Sequence, residues 1–351
     1  MPAYKDDNGL WRVSFYFTDW TGKRIRKMKR GFKRKKDALD YEREFKVRQQ
    51  GAPDMLFASL YKLYIEDCGA RLRPTTMTNK KAIFNKHILP YFGNKPVNKI
   101  TPRDIRKWQN AILQQGHKET YIKTLHNQLS AVFNFACKYY NLRNNPTRLA
   151  GAIGKKQAPA MKFWTLKEFE QFIKAFAPDS LQALAFNVLF YTGLRSGELL
   201  ALTRKDYNSQ GGALSVNKTY NRLDGKDVFT PPKTPKSRRV VLLPHFVSAM
   251  LDSYISHSVD LQDNDRLFPV TKHWLLKWLK AGCKKSGVKR IRIHDLRHSH
   301  ASLLIHLGFS PLVISERLGH ENIETTLQIY SHLYPSAQSD VTKKLDKIVS
   351  K

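Results

Sequence analysis

The chain is short of acid. Across 351 residues, 29 Asp and Glu stand against 61 Lys and Arg, leaving a formal net charge of +32. An excess of that size points to a polyanion partner, and nucleic acid is the usual one. A ribosome-associated or lipid-bound protein would carry the same excess, and charge alone does not separate these. Cysteine is scarcer still. Cys68, Cys137 and Cys283 lie far apart and form no CxxC pair, so neither a zinc ribbon nor a disulfide framework is expected, in keeping with a reducing compartment. Long apolar runs are missing as well. The most apolar stretch, Leu181 to Leu194, is interrupted by Gln182 and Asn187 and is too short to span a bilayer. The N-terminal MPAYKDDNGLW has no apolar signal core. These absences predict a soluble, cytoplasmic protein that does not engage a membrane.

The length allows two or three domains, and the patterning predicts a multidomain chain, mainly α with β. Residues 1–50 read as a small β-sheet plus a helix. Leu10 to Phe17 alternates as a half-buried strand does, Asp19 to Gly22 is a turn, Lys23 to Lys29 is a second strand, and Asp37 to Arg48 has helical spacing. Ten Lys and Arg and no acid lie between Lys23 and Lys36. A solvated face is the ordinary meaning of such a run. On so small a strand pair, contact of Lys23, Arg24, Arg26, Lys27, Lys29 and Arg30 with DNA phosphates is the better expectation, because each contact releases counterions. Gly51 to Asp54 reads as a linker. Residues 57–150 read as a helical bundle. Phe57, Leu60, Tyr61, Tyr64 and Ile65 share one helix face. Thr75 or Thr76 is expected to cap a helix that Pro90 stops, Thr101-Pro102 to open another, and Thr120 to Tyr139 to form a long amphipathic one. Gly151 to Ala160 is a second linker, whose Lys155 and Lys156 either track a DNA backbone or belong to a simple tether. Residues 163–351 form the third domain, mixed α/β, with a β-rich interval from about Ala213 to Leu243.

Four polar islands interrupt the apolar stretches of that third segment: Thr192 to Glu198, Pro231 to Thr234, His294 to His298, and Leu318 to His320, with Tyr330 ten residues further on. Arg195 falls at a helix start, where backbone N–H groups favour an anion, and its planar fork can hold two phosphate oxygens. Glu198 lies one turn later and can orient it, although a surface Arg–Glu pair is the commoner fate of an isolated RxxE. Lys233 sits in what reads as a hairpin turn, with Arg238 to Pro244 as the returning strand. His294 and Arg297 share a helical face. His294, His298, His300 and His306 are dense, yet no HExxH and no Cys or Glu completes a familiar zinc set, so no metal site is expected. Tyr330 alone would read as core packing.

Together these residues read differently. Two Arg, one Lys and two His, with no carboxylate pair to hold Mg²⁺, suit phosphoryl transfer in which guanidinium and imidazole donors meet the charge on the phosphorane oxygens. A phenol becomes a competent nucleophile when cations stabilise its phenolate and a base takes its proton.

The order R…K…HxxR…H…Y, carried by TGLRSGE, PPKTPKSRR, HDLRH, LGH and QIYSH, resembles the tyrosine recombinase (phage integrase) family over about Phe163 to His332. Segment 57–150 resembles its core DNA-binding domain. Segment 1–50, with Lys33-Arg34-Lys35-Lys36-Asp37-Ala38 before its helix, resembles the arm-binding domains of phage and conjugative-transposon integrases. The resemblance implies a site-specific recombinase. In it Arg195 and Arg297 bind the scissile phosphate, Tyr330 forms a 3′-phosphotyrosyl link, and Lys233 is general acid for the leaving 5′-oxygen. His294 acts as base, His320 donates to the phosphate, and Glu198 supports Arg195. It implies no cofactor, since the tyrosyl link stores the phosphodiester energy. It also implies a homo-tetramer exchanging strands of double-stranded DNA through a Holliday junction, with an excision factor or host DNA-bending protein as possible partners. The tail from Tyr334, with Val341, Leu345 and Ile348 at helical spacing, docks on its own domain or on a neighbour's. A non-enzymatic DNA-binding regulator and a type IB topoisomerase-like enzyme are the alternatives.

Overall fold

The computed structural model describes residues 3–18, 23–49, 54–155, 162–223, 225–232 and 234–330. The sequence readings that fall on Asp19 to Gly22, Gly51 to Pro53, Lys156, Lys233 and the tail beyond Tyr330 lie outside the described residues. The chain divides into two compact units, Met1–Pro159 and Ala160–Lys351.

The first unit opens with an antiparallel sheet of β1 (Tyr4–Lys5), β2 (Trp11–Thr18) and β3 (Arg24–Phe32), followed by α1 (Lys35–Gln49). Alternation along β2 decides its two faces. Val13 and Phe15 are buried against Ala38, with Trp11, Phe32, Leu39, Tyr41 and Phe45 around them. Ser14 and Tyr16 point the other way.

A separate helical core follows, built from α2 (Phe57–Gly69), α3 (Pro74–Ile83), α4 (Leu89–Phe92), α5 (Pro102–Gln114), α6 (Glu119–Tyr139) and α7 (Pro146–Ala150). Phe57, Leu60, Tyr61 and Tyr64 are buried at the expected helical spacing, as are Ile122, Leu125, Leu129, Val132, Phe133 and Ala136 of α6. Thr101 and Asp104 exchange side-chain bonds with each other's backbone N–H, and Pro102 occupies the first turn. Two expectations are corrected. The cap of α3 is Arg73, with Pro74 in the first turn and no side-chain bond. Pro90 does not stop the helix. One π-helical turn, Phe84–Ile88, carries the chain from α3 into α4, and Pro90 then occupies the first turn of α4, where no donor is required of it. The segment read as a linker also begins inside this fold. Gly151 O accepts from Gln109 Nε2 at 2.7 Å, Ala150 O accepts from Arg106 at 2.5 Å, and Ile153 is buried.

The second unit runs α8 (Leu166–Ile173), α9 (Leu181–Thr192), α10 (Ser196–Leu199), β4 (Tyr207–Asn208), β5 (Ala213–Val216), β6 (Thr219–Leu223), β7 (Lys226–Thr230), β8 (Arg239–Leu242), α11 (His245–Ser256), α12 (Lys272–Ser286), α13 (Asp295–His306), α14 (Pro311–Leu318) and α15 (Ile323–Tyr330). Its main core gathers α8, α9, α12 and the inner face of β5 and β8 around Phe169, Phe172, Phe186 and Phe190. The expected hairpin at Lys233 is corrected. The returning strand β8 pairs with β5, placing Val241 opposite Leu214 in the core, while β7 pairs with β6. A local pattern shows that a strand returns, not which partner it finds. Among the described residues no helix is long and apolar enough to cross a membrane.

Candidate active site

Three of the four polar islands meet in the second unit, and Arg297 is the tie. It follows the N-terminus of α13 by one turn and is 2% exposed. Its Nη1 donates to Gly193 O at 2.9 Å and its Nη2 to Leu318 O at 2.6 Å. One side chain therefore joins the TGLR turn, the HDLRH helix and the LGH turn. Gly193 and Gly319 end α9 and α14 with positive φ. A Cβ on Gly193 would come within 2.7 Å of His300 and Leu318, and on Gly319 within 3.0 Å of Arg239. Glycine takes the positive φ at both turns and leaves room for these side chains. Burial, then the charge of Arg195, pushes the Arg297 pKa down to about 9, which still leaves it charged at neutral pH.

Arg195 is the N-cap of α10. Its backbone N–H donates to Glu198 Oε2 at 3.0 Å and its Nη1 to Oε1 at 2.7 Å, while more than a third of the side chain stays exposed. The reading of Glu198 as orienter thus has its geometry. The carboxylate has a second partner. Arg239 Nη2 donates to Glu198 Oε2 at 3.0 Å, Nε to Arg317 O at 2.9 Å, and Nη1 to Ser237 O at 3.2 Å. Burial pushes the Glu198 carboxyl up, but Arg239 and Arg195 overcome this and hold it below the ordinary range. Arg239 was not singled out in the sequence. The second Arg of SRR, opening a strand five residues before Pro244, was the available signal.

His320 follows the α14 cap, and its Nδ1 lies 2.8 Å from Thr326 Oγ1. Burial, with the charges of Arg297 and Arg195, holds it down to about 4, so the ring is neutral at physiological pH. His294 is exposed. Even so, the surrounding protein desolvates its ring and, with His298, Arg297 and Arg195, lowers its pKa.

Tyr330 ends α15 and is 1% exposed, its ring packed with Ala301, Ile305, Ile314 and Leu318. Its hydroxyl is 2.6 Å from His298 Nδ1. Burial raises its pKa and the Arg297 charge opposes that rise. Arg195, Glu198, His294, Arg297, His320 and Tyr330 thus come together in one chain, and Lys233 lies outside the described residues. His298 is the residue to which the sequence assigned no role. It sits one turn beyond His294 on the same helix, rings 5.1 Å apart. Among the described residues no three His, Cys, Asp or Glu side chains converge as metal ligands would.

The basic run of the first unit is divided between two faces. Arg24 and Arg26 stand opposite Thr18 and Tyr16 on the open face. There Arg24 lies over the Tyr16 ring at 4.7 Å, and Arg26 Nε donates to Ser14 Oγ at 2.9 Å. Lys27 and Lys29 face the helix instead, over Phe45 at 4.2 Å and Tyr41 at 4.7 Å. Lys23, Arg30 and Lys155 are exposed.

Arginine, imidazole and a buried phenol arranged in this way, on this fold, define a DNA strand-transfer enzyme of the tyrosine recombinase class. Family models match three segments of the chain: an arm DNA-binding domain over residues 2–49, the N-terminal SAM-like domain of phage integrases over 56–113, and the phage integrase family over 162–337. The ICEBs1 integrase of Bacillus subtilis is 35% identical over 99% of this chain and 100% of its own length. In fold, the Tn1549 transposon integrase bound to a circular intermediate DNA is similar at TM-score 0.69 and 21% identity, covering 84% of this chain and 99% of that one. A lambda integrase tetramer bound to a Holliday junction is similar at TM-score 0.59 and 18% identity, covering 93% and 94%. The chain belongs to the phage integrase family and is a tyrosine recombinase.

Proposed function

We propose that this recombinase integrates and excises a mobile element by transient attachment of DNA to Tyr330. The observation that carries the reading is the Tyr330 hydroxyl enclosed in its own chain's site, under the influence of Arg297. Arg195, exposed enough to reach DNA, and Arg297 hold the non-bridging oxygens of the scissile phosphate. Glu198 fixes Arg195, and neutral His320 donates to the same phosphate. Tyr330 Oη attacks phosphorus, the bond to the 5′-oxygen breaks, and Lys233 supplies that oxygen with a proton. The 3′-phosphotyrosyl link conserves the bond energy, so a 5′-hydroxyl of another strand reseals it without a cofactor.

In this reading residues 1–50 grip distal arm sites and 57–150 the core site, while the segment from 163 does the chemistry. Arg24 and Arg26 approach phosphates from the open sheet face, Lys27 and Lys29 from the helix-facing side, with Lys23 and Arg30 beside them and Lys155 and Lys156 in the linker. Two sites require four protomers on double-stranded DNA, assisted by an excision factor or a host bending protein, in the cytoplasm where the genome lies. Incubation of the chain with two supercoiled plasmids, each bearing one attachment site, tests this. Joined products resistant to protein removal are expected. Relaxation of supercoils without exchange would instead mark a topoisomerase-like enzyme.

A further inference from the structure

The phenol of Tyr330 must lose a proton as it attacks, and one side chain among the described residues is hydrogen-bonded to it. We propose that His298, through Nδ1, is the group that takes this proton, and that His294, to which the family pattern gives the part, does not touch the nucleophile. The inference rests on the recombinase reading above and deepens it.

Geometry comes first for a general base, which must lie within hydrogen-bond reach of the proton it removes. His298 Nδ1 is 2.6 Å from Tyr330 Oη, short for a phenol–imidazole contact, and both groups are buried. No ring contact or hydrogen bond joins His294 to Tyr330 among the described residues; its ring packs edge-on against His298. The spacing explains the difference. His294 is the N-cap residue of α13, before the first turn, whereas His298 lies four residues into it, on the stretch with Ala301 and Ile305 that packs the Tyr330 ring.

The environment keeps His298 in the form a base needs. It is faced by Asp295, Arg297 and His294 from its own segment, by Arg292 just before it, by Tyr330 from α15, and by His320 beyond α14. Burial lowers its pKa, Asp295 opposes this, and Arg292 and Arg297 add to it. The net effect leaves a neutral imidazole at physiological pH, with Nε2 protonated and Nδ1 accepting. In the cleavage step the Oη–P bond forms, the P–O5′ bond breaks, and the phenolic proton passes to Nδ1, giving an imidazolium next to Asp295. In resealing the 5′-hydroxyl attacks, Tyr330 Oη leaves, and the same proton returns to it. His298 therefore serves both half-reactions, and no outside oxidant or acid is consumed.

The test uses the full chain and a nicked suicide duplex bearing the core sequence that the chain protects from nuclease. His298→Asn places an amide oxygen near the position of Nδ1; it accepts the bond but cannot take the proton. Single-turnover formation of the covalent adduct is expected to fall about 100-fold, with Tm and DNA affinity as in wild type. Replacing Tyr330 by a fluorotyrosine, a more acidic phenol that needs less help from a base, should recover most of that loss in His298→Asn and gain little in the wild type. His298→Gln, with a longer reach, should behave as His298→Asn does. Without any His298 variant, fluorotyrosine should flatten the loss of rate that protonation of His298 causes on the acid side of 6.5. Undiminished cleavage by His298→Asn overturns the proposal. So does a deficit of equal size with tyrosine and fluorotyrosine, or an acid limb that fluorination leaves unchanged. If the wild type itself forms no adduct on the protected sequence, the recombinase reading falls, and this inference with it.

Discussion

The arginines of the N-terminal sheet and those around Tyr330 carry the same charge in opposite surroundings. Arg24 and Arg26 are exposed, one leaning on an aromatic ring and one on a hydroxyl. Arg297 and Arg239 are buried, with their guanidinium groups anchored on carbonyls and, for Arg239, on Glu198, while Arg297 still has N–H donors beyond the two it uses there. The first arrangement leaves a cation able to follow a phosphate backbone. The second removes its freedom before substrate arrives, which is what stabilising a transition state requires, since no reorganisation is then needed at the moment of reaction. The basic residues behind the +32 charge thus fall into two kinds of surroundings, and the surroundings, not the residue type, separate them.

This contrast can be broken from either side. The largest effect is expected at Arg297. Arg297→Ala should cut adduct formation about 10²–10³-fold and also lower Tm, because Gly193 O and Leu318 O lose their donor in a buried site. Single-turnover cleavage and thermal unfolding measure the two losses. A change in neither would mean the guanidinium is not locked as described. Next comes Arg239→Met. It leaves Glu198 with Arg195 alone, and breaking a buried pair from one side costs about 3–5 kcal/mol. Denaturant unfolding should show a loss of that order, and cleavage should fall with it. A stability equal to wild type would show that Glu198 needs only one cation.

A smaller effect is predicted on the sheet. Arg24→Ala with Arg26→Ala should leave cleavage of a core-only nicked duplex unchanged. Binding to longer DNA should weaken, and the slope of log K against log salt should become shallower by about 0.9 for each phosphate no longer neutralised. An unchanged slope would remove these residues from the interface. The smallest effect concerns Glu198. Its folded pKa is held below the ordinary 4.5, so its contribution to stability is present above that value and is lost as pH falls through the folded pKa. Unfolding free energy followed from neutral pH into the acid range should decline more in the wild type than in Glu198→Gln. Parallel curves would contradict the pairing.

Much of the site was legible in the sequence because its chemistry is carried by residue types in a fixed order. Arg195, His294, Arg297 and His320 each stand in a polar island flanked by apolar elements, Tyr330 follows the last island by ten residues and is legible only through the order of the others, and the glycines after α9 and α14 mark where the islands turn. What was not legible depends on how elements rotate against one another. HDLRH offers two histidines a turn apart, and only the packing of α13 against α15 decides that His298 meets Tyr330. Arg239 was hidden because its partners lie 41 and 78 residues away in sequence. The pairing of β8 with β5 is equally non-local. The split of the basic run followed from simple alternation along β3, and a period-of-two count would have found it. Pro90 misled because a proline ends a helix only where the turn before it needs its N–H, and the π-helical turn at Phe84–Ile88 placed it at a new start.

The central claim is that Tyr330 of this chain becomes joined to DNA at a site its own residues build. The most direct measurement is denaturing electrophoresis of the full chain after incubation with the nicked suicide duplex, comparing wild type with Tyr330→Phe. A DNA-linked band in the wild type, destroyed by protease and absent from the variant, is the predicted result. A band that persists in Tyr330→Phe would contradict the account.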